Sequence, residues 1–181
     1  MSDPIDVLLE EHREILAQID GLRGVVRDLE SRGEAGVPEA LPVLGDAGRM
    51  MATRLLDHAR KEDEALFPAL EEVLGRGAGA TAVMRAEHVE IRARAELFRK
   101  TLHELERVEH PAIVAGGAEL SALAAVGASA ARLRDAARKV IELLDLHFGK
   151  EEDILFPMAR QVLSPHELAA VARKMEAMEQ G

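Results

Sequence analysis

The feature that limits the fold of this chain most strongly is the spacing of its apolar residues. They recur three or four positions apart along almost the whole sequence, beginning with Ile5 and Leu8 and continuing through Val26 and Leu29 in the first segment. This spacing places apolar side chains on one face of an α-helix, and there are no alternating runs of β-branched residues that would indicate strands. The sequence therefore predicts an all-α protein.

Turn and capping residues divide the chain into four long helices and a short one. The predicted bounds are Asp3-Pro4 to about Ser31, about Pro38 to Gly75, Thr81 to His110-Pro111, about Gly116-Gly117 to Leu163, and Ser164-Pro165 to about Glu179. Long helices that are joined by short loops pack in alternating directions. We therefore expect an antiparallel up-down four-helix bundle with a short fifth C-terminal helix.

The two halves of the chain repeat one pattern. Residues 11–15 match residues 87–91, and residues 58–68 match residues 147–157, with His, Lys, Glu, Leu, Phe and Pro at identical offsets in the longer pair. Each half thus has a lone histidine followed by a His-x-x-x-Glu motif. We expect a single domain over residues 1–181, made of two helix-hairpin repeats at 1–75 and 81–163 and an accessory helix at 165–179.

Six ionisable residues occupy positions on the apolar faces of the four long helices. Burying a carboxylate among apolar side chains is unfavourable unless a cation or a closed polar network compensates its charge. Residues four apart share a helix face, so each His-x-x-x-Glu presents an imidazole and a carboxylate to the same interior region. The sequence therefore predicts a metal pair with the ligands His12, His58, Glu62, His88, His147 and Glu151.

The residue types restrict the metal. The chain has no cysteine, so the ligands must be histidine and carboxylate, which suits iron, with manganese or zinc as alternatives. If both glutamates bridge, each ion receives two histidine nitrogens and two carboxylate oxygens. An oxo or hydroxo bridge would add a fifth ligand and leave a sixth position open. We expect two iron ions per chain, bridged by oxo or hydroxo.

Residues next to these ligands carry further predictions. Lys61 and Lys150 precede the two glutamates, and we expect them on the solvated flank, paired with neighbouring acids. Acidic clusters occupy residues 62–64 and 151–153. Because a helix turns about 100° per residue, only the first acid of each cluster is expected to share the histidine face.

Composition and charge disfavour several classes of partner. The formal net charge of −10 disfavours nucleic acid, which is bound by clustered lysine and arginine. The acidic start of the chain lacks the apolar run of a secretory signal, and no segment has the roughly 18 uninterrupted apolar residues of a membrane span. We expect a cytoplasmic protein without a nucleic-acid or membrane partner.

The order His, His-x-x-x-Glu, His, His-x-x-x-Glu resembles that of the hemerythrin-like family, the HHE cation-binding domains, over the first four helices. The resemblance implies a four-helix bundle with a carboxylate-bridged di-iron centre that binds or reacts with dioxygen, nitric oxide or peroxide. Oxygen-carrying members have a fifth histidine where this chain has Arg92. The site is more similar to that of bacterial relatives used in sensing, iron-centre repair or peroxide breakdown.

Several activities remain open at this point. The leading hypothesis is a non-haem di-iron protein that binds or reacts with a small oxidant. The alternatives are a catalase-type or peroxidase-type di-iron enzyme, an iron storage or delivery protein, and an iron-centre repair protein. The sequence alone does not decide whether the protein is an enzyme.

Overall fold

The fold is described from a computed structural model of the chain. It covers the backbone of residues 2–75, 79–114 and 120–180 and, within these ranges, all side chains except those of residue 34 and residues 106–129. These residues form helices, turns and short connections, with no strand among them. The all-α class is confirmed. Among the helices of the described ranges, none is both long and apolar enough to cross a membrane.

Eight α-helices follow one another along the described chain. They are α1 (Pro4–Arg32), α2 (Val37–Ala52), α3 (Arg54–Lys61), α4 (Phe67–Leu74), α5 (Gly79–Val114), α6 (Leu120–Lys150), α7 (Phe156–Val162) and α8 (Pro165–Glu179). A 3₁₀ turn, Gly33–Gly36, separates α1 from α2. Two π-turns, Glu62–Leu66 and Glu151–Leu155, continue α3 into α4 and α6 into α7. Four long helical stretches thus precede the short α8.

Contacts between neighbouring stretches run in antiparallel order. As residue numbers fall along one helix, the numbers of their partners rise along the next. The pairs are Glu14–Arg54 and Glu11–Lys61 between α1 and α3, and Glu71–Arg85 and Asp63–His88 between the second stretch and α5. The helical bundle that the sequence predicts is therefore confirmed.

The contacts divide the chain into two compact units. The first comprises Met1–Leu16, Thr53–Ile91 and Leu144–Gly181, and the second comprises Ala17–Ala52 and Arg92–Leu143. Each unit takes segments from both sequence repeats. The single-domain organisation and the repeat boundaries stay predictions.

The first unit has an apolar core to which α8 contributes. Leu66, Phe67 and Phe156 form part of this core, and Val171 and Met175 of α8 belong to the same cluster. Ser164 caps α8, because its hydroxyl accepts a hydrogen bond from the Glu167 N–H while the Glu167 side chain accepts one from the Ser164 N–H. This reciprocal cap starts the helix where the sequence predicts it.

The second unit contains a close approach of α2 to α5. A Cβ atom at Gly48 would lie 3.4 Å from Cδ2 of Leu102 and 3.7 Å from Cε1 of Phe98. Gly48 is itself buried within α2. A Cβ at this position would therefore make ordinary van der Waals contacts with α5.

The structure corrects three predicted helix boundaries. The second helix is interrupted at Thr53, whose φ of −124° and ψ of −85° are not helical. Helix α5 begins at Gly79 rather than at Thr81, whose side chain is packed in the interior. It also continues past Pro111, although proline removes one hydrogen bond and its ring crowds the carbonyl four residues earlier. The predicted start at Gly116-Gly117 lies outside the described residues.

Candidate metal centre

The six predicted ligands meet in the interior of the first unit. Four helical stretches contribute them, and each residue is no more than 1 % exposed. The lone histidines come from α1 and α5, whereas each His-x-x-x-Glu motif spans the junction of an α-helix with a π-turn. The set is His12, His58, Glu62, His88, His147 and Glu151.

These side chains form two groups of four that share both glutamates. His12 and His58 belong to one group, His88 and His147 to the other, and Glu62 and Glu151 to both. Within each group the candidate ligand atoms all lie within 4.8 Å of one another. Metal–ligand bonds of about 2.0–2.2 Å place opposite ligands about 4.4 Å apart. Each group is therefore close to the size that one metal ion requires.

Each glutamate faces one histidine of each group. In Glu151, Oε2 lies 3.3 Å from His12 Nε2 and Oε1 lies 3.0 Å from His147 Nε2. In Glu62 a single oxygen faces both groups, because Oε2 lies 3.5 Å from His58 Nε2 and 3.3 Å from His88 Nε2. Both carboxylates thus lie between the two groups, where a bridging ligand would lie.

A carboxylate holds the outer nitrogen of every histidine ring. The Nδ1–carboxylate distances are 2.7 Å for His12–Glu152, 2.9 Å for His58–Glu11, 3.0 Å for His88–Asp63 and 3.0 Å for His147–Glu87. An ionised carboxylate only accepts hydrogen bonds, so the proton of each ring resides on Nδ1. Each Nε2 then presents a lone pair to the interior, as a metal ligand must.

Lysines keep two of these carboxylates ionised. Burial alone would raise the pKa of Glu11, but hydrogen bonds from His58 and Lys61 outweigh this effect and lower it. Burial would also raise the pKa of Glu87, but hydrogen bonds from Lys150 and His147 outweigh this effect and lower it. Both lysines are paired with acids, as predicted. The prediction of a solvated flank is wrong for Lys61, whose side chain is only 7 % exposed.

In the π-turns the first acid of each cluster lies in the centre, and the second contacts a histidine of another helix from outside, a contact that was not predicted. In each turn a backbone N–H bonds to a carbonyl five residues earlier, from Phe67 to Glu62 and from Phe156 to Glu151. The wider turn allows the next acid along the chain to contact a histidine as well. Asp63 and Glu152 do so, at Nδ1. The sequence analysis missed these two carboxylates, and the repeated proline after each acidic cluster was the available signal.

Proline explains the hydrogen bonding of the first π-turn. Pro68 has no N–H, so it cannot bond to the carbonyl four or five residues before it. These two carbonyl oxygens have other donors: Arg85 lies 2.9 Å from that of Asp63, and Lys174 donates to that of Glu64. Distant side chains thus satisfy the backbone where proline interrupts the helical pattern.

The centre contains buried polar atoms that a cation would satisfy. Among the described residues, both oxygens of Glu62 and of Glu151 and the Nε2 atoms of His88 and His147 are buried without a hydrogen-bond partner. Buried polar atoms in proteins almost always have a partner. Divalent ions accept lone pairs from carboxylate oxygens and imidazole nitrogens, the donors present here. The residues present therefore fit a metal pair.

The two shared glutamates differ in acidity without metal. Burial and the neighbouring charge of Glu151 raise the pKa of Glu62 well above its usual range. Burial would also raise the pKa of Glu151, but contacts with His12 and His147 outweigh it and hold that pKa well below the usual range. Without a metal ion between them, two adjacent buried carboxylates are not both charged. The metal-free centre therefore retains a proton that a cation would displace.

Phenylalanine rings surround the histidines. The ring of Phe148 stacks on His12 with centroids 3.9 Å apart, and Phe67 lies parallel to His88 at 5.6 Å. A third ring, Phe156, lies 5.4 Å from His12. All three are buried, so they exclude water from the histidine side of the centre. Arg92, the position of the fifth histidine in oxygen carriers, is exposed on α5.

A helical bundle that buries two overlapping histidine–carboxylate groups is a metal-binding protein. The family model described as "Hemerythrin HHE cation binding domain" matches residues 3–109 and 101–180, and the chain belongs to this family. No curated protein and no solved structure matches the chain significantly. The expected family is confirmed, and cation binding is the property that the family name and the site share.

Proposed function

We propose that this chain is a non-haem di-iron protein that binds or reacts with a small oxidant. The observation that carries the proposal is the pair of four-residue groups that share Glu62 and Glu151. Each group offers two histidine nitrogens and two carboxylates, a donor set without thiolate that suits iron, with manganese and zinc as alternatives. The proposed ligands are the six residues of these groups.

The chain prepares the donors before any metal arrives. The carboxylates at Nδ1 hold all four rings in one tautomer and one orientation, which preserves metal affinity. Bound iron would supply two adjacent redox-active Lewis acids, the chemistry that dioxygen, nitric oxide or peroxide requires. Two divalent ions against the charges of Glu62 and Glu151 leave a net positive interior, which favours small anions.

Burial restricts what can reach the centre. The six proposed ligands are at most 1 % exposed, and Phe67, Phe148 and Phe156 cover their histidines. A large substrate would need the helices to separate, whereas a diatomic molecule or peroxide needs only local fluctuations. The enclosure therefore supports a small ligand.

The test is metal content per chain, together with the absorption spectrum before and after oxygen or nitric oxide is admitted. We expect two irons per chain and a change in absorbance on exposure to either gas. His103→Ala is the matched control, because His103 is an exposed histidine of α5 outside the centre. Folded protein that takes up no metal, or loaded protein that shows no absorbance change, contradicts the proposal.

A catalase-type or peroxidase-type activity is the second candidate. The chain has no tyrosine, tryptophan or cysteine, three side chains that strong oxidants attack, although it has seven methionines, which peroxide also oxidises. This composition suits a centre that turns over peroxide. The test is oxygen evolution from hydrogen peroxide by the iron-loaded protein, which should disappear in His58→Ala. Undiminished evolution in that variant would exclude the centre as its source.

A further inference from the structure

The two halves of the metal centre share a sequence pattern but differ in what surrounds their lysines. Lys61 and Lys150 stand at the same offset, immediately before Glu62 and Glu151. The side chain of Lys61 is 7 % exposed, whereas that of Lys150 is 44 % exposed. A segment of the chain therefore covers Lys61, and no corresponding segment covers Lys150 in the described part of the chain.

The C-terminal end of α8 covers Lys61. Lys61 donates to Glu11 and also to Glu179, the last residue of α8. Glu11 in turn accepts from His58 Nδ1 at 2.9 Å. A continuous series of charge-assisted hydrogen bonds therefore connects the C-terminal helix, through Lys61 and Glu11, to a histidine of the centre.

The corresponding series in the other half is shorter. Lys150 donates to Glu87, which accepts from His147 Nδ1 at 3.0 Å. Within the described part of the chain, Lys150 has no second acidic partner. The His147 half thus ends at a lysine that is open to solvent.

Two further contacts fasten α8 to the segment that carries His58. Arg60 donates to the Met178 carbonyl at 3.2 Å, and Lys174 donates to the Glu64 carbonyl. The buried residues Val171 and Met175 pack into the core beneath them. Helix α8 therefore contacts the chain on both sides of Glu62, at the Arg60 side chain and at the Glu64 carbonyl.

We propose that Glu179 and Lys61 are positioning residues that clamp the His58 half of the centre, so that the two metal ions exchange at unequal rates. The ion held by His12 and His58 leaves slowly. His58 can turn away from it only if Glu11 moves, and this movement breaks the hydrogen bond between Glu11 and Lys61. The ion held by His88 and His147 leaves faster through its His147 side, where Glu87 is held only by the half-exposed Lys150. This inference rests on the proposed function in its assumption of one ion per group.

Release of iron to a chelator tests the clamp. The protein is loaded with ferrous iron without oxygen and mixed with excess bipyridine, and the coloured complex is followed over time. We expect two phases of equal amplitude in the unmodified protein. Glu179→Gln should accelerate the slow phase and leave the fast phase unchanged; the acceleration should be smaller than the roughly 10–100-fold effect of losing a direct partner of a ligand, because Glu179 acts on His58 through Lys61 and Glu11.

Matched variants assign the two phases. Lys61→Met should accelerate the slow phase, as Glu179→Gln does. Lys61→Arg keeps the positive charge and should leave the slow phase at its original rate. Lys150→Met, the same substitution in the other half, should affect only the fast phase. Glu176→Gln, an exposed acid on α8, should affect neither. A single phase in the unmodified protein, or equal acceleration of both phases by Glu179→Gln, overturns the proposal.

A second measurement separates failure of the clamp from failure of the di-iron proposal. Amide hydrogen exchange of the metal-free protein compares the turn Glu62–Leu66 with the turn Glu151–Leu155. We expect slower exchange in the first turn, and Glu179→Gln should reduce that difference without removing it, because the Lys174–Glu64 contact and the buried residues of α8 remain. Equal exchange in the unmodified protein overturns the clamp, whereas uptake of fewer than two irons with unequal exchange overturns only the di-iron proposal.

Discussion

The Nε2 atoms of His12 and His58 lie 3.0 Å apart in the interior, although the Nδ1 atom of each ring faces a carboxylate. With both protons on Nδ1, two lone pairs point toward each other. A further proton could relieve this repulsion, but burial lowers the pKa of His58 and disfavours its charged form. A cation between the rings is the better solution.

Metal removal should therefore lower the stability of the folded chain. The centre leaves buried polar atoms without partners when it holds no cation, and each such atom is costly. At free metal one hundred times the dissociation constant, binding adds about 2.7 kcal/mol, or roughly 5–10 °C in Tm. Thermal unfolding with and without a chelator measures the shift, and an unchanged Tm would argue against a buried metal site.

Loss of either shared glutamate should remove both ions. Glu62 and Glu151 each face one histidine of each group, so replacement of either by alanine takes a ligand from both. Metal analysis of Glu62→Ala and Glu151→Ala should find little bound metal, while His103→Ala keeps the full amount. Two ions retained in either glutamate variant would refute the bridging role.

The carboxylates behind the histidines should tune affinity rather than abolish binding. Glu152→Gln keeps the size of the side chain but removes the charge that holds the His12 Nδ1 proton. Affinity should fall by about 10–100-fold, as measured by competition with a chelator of known strength. Asp153→Asn, at the exposed neighbour, is the control. Equal affinity in the two variants would show that Glu152 does not orient His12.

Metal uptake should release protons and strengthen as pH rises. Burial raises the pKa of Glu62, while for His147 burial acts to lower the pKa and is outweighed by contacts with Glu151 and Glu87, which raise it. Below the raised pKa values both groups carry protons that a cation must displace, on the Glu62 carboxylate and on Nε2 of His147, and these leave as pH rises through those values. Proton release into weakly buffered solution measures the effect. Affinity that does not change with pH would contradict it.

The cap of α8 should be worth about 1 kcal/mol. Ser164→Ala removes the hydroxyl that accepts from the first turn of the helix, and N-cap serines contribute this much on average. Ser164→Asp should restore most of the loss, because aspartate is an equally good cap. Denaturant unfolding measures both variants, and a Ser164→Ala protein as stable as the unmodified chain would show that the cap is not stabilising.

The positions of the histidines were predictable because helical periodicity is local. Once His12 and His88 occupy apolar slots three or four residues from Leu8 and Ile91, they must face the interior of any bundle that buries those slots. The Ser164 cap is local too. Each of these features needs only a few neighbouring residues.

The supporting carboxylates were not predictable in the same way. Glu152 lies 140 residues from His12 in the sequence, and their contact exists only after four helical stretches have packed. The π-turn at Glu62 likewise depends on Arg85 and Lys174, which satisfy the carbonyl groups before Pro68. Sequence patterns describe helix faces, and such long-range partners decide between an α-turn and a π-turn.

The π-turns restrict which mutations this site can accept during evolution. Each one sets the spacing between a glutamate and the proline that follows it, from Glu62 to Pro68 and from Glu151 to Pro157. Deleting one residue within that interval would restore the ordinary helical repeat and rotate the glutamate relative to Phe67 or Phe156. Substitutions can therefore adjust the centre gradually, whereas a single insertion or deletion there would dismantle it.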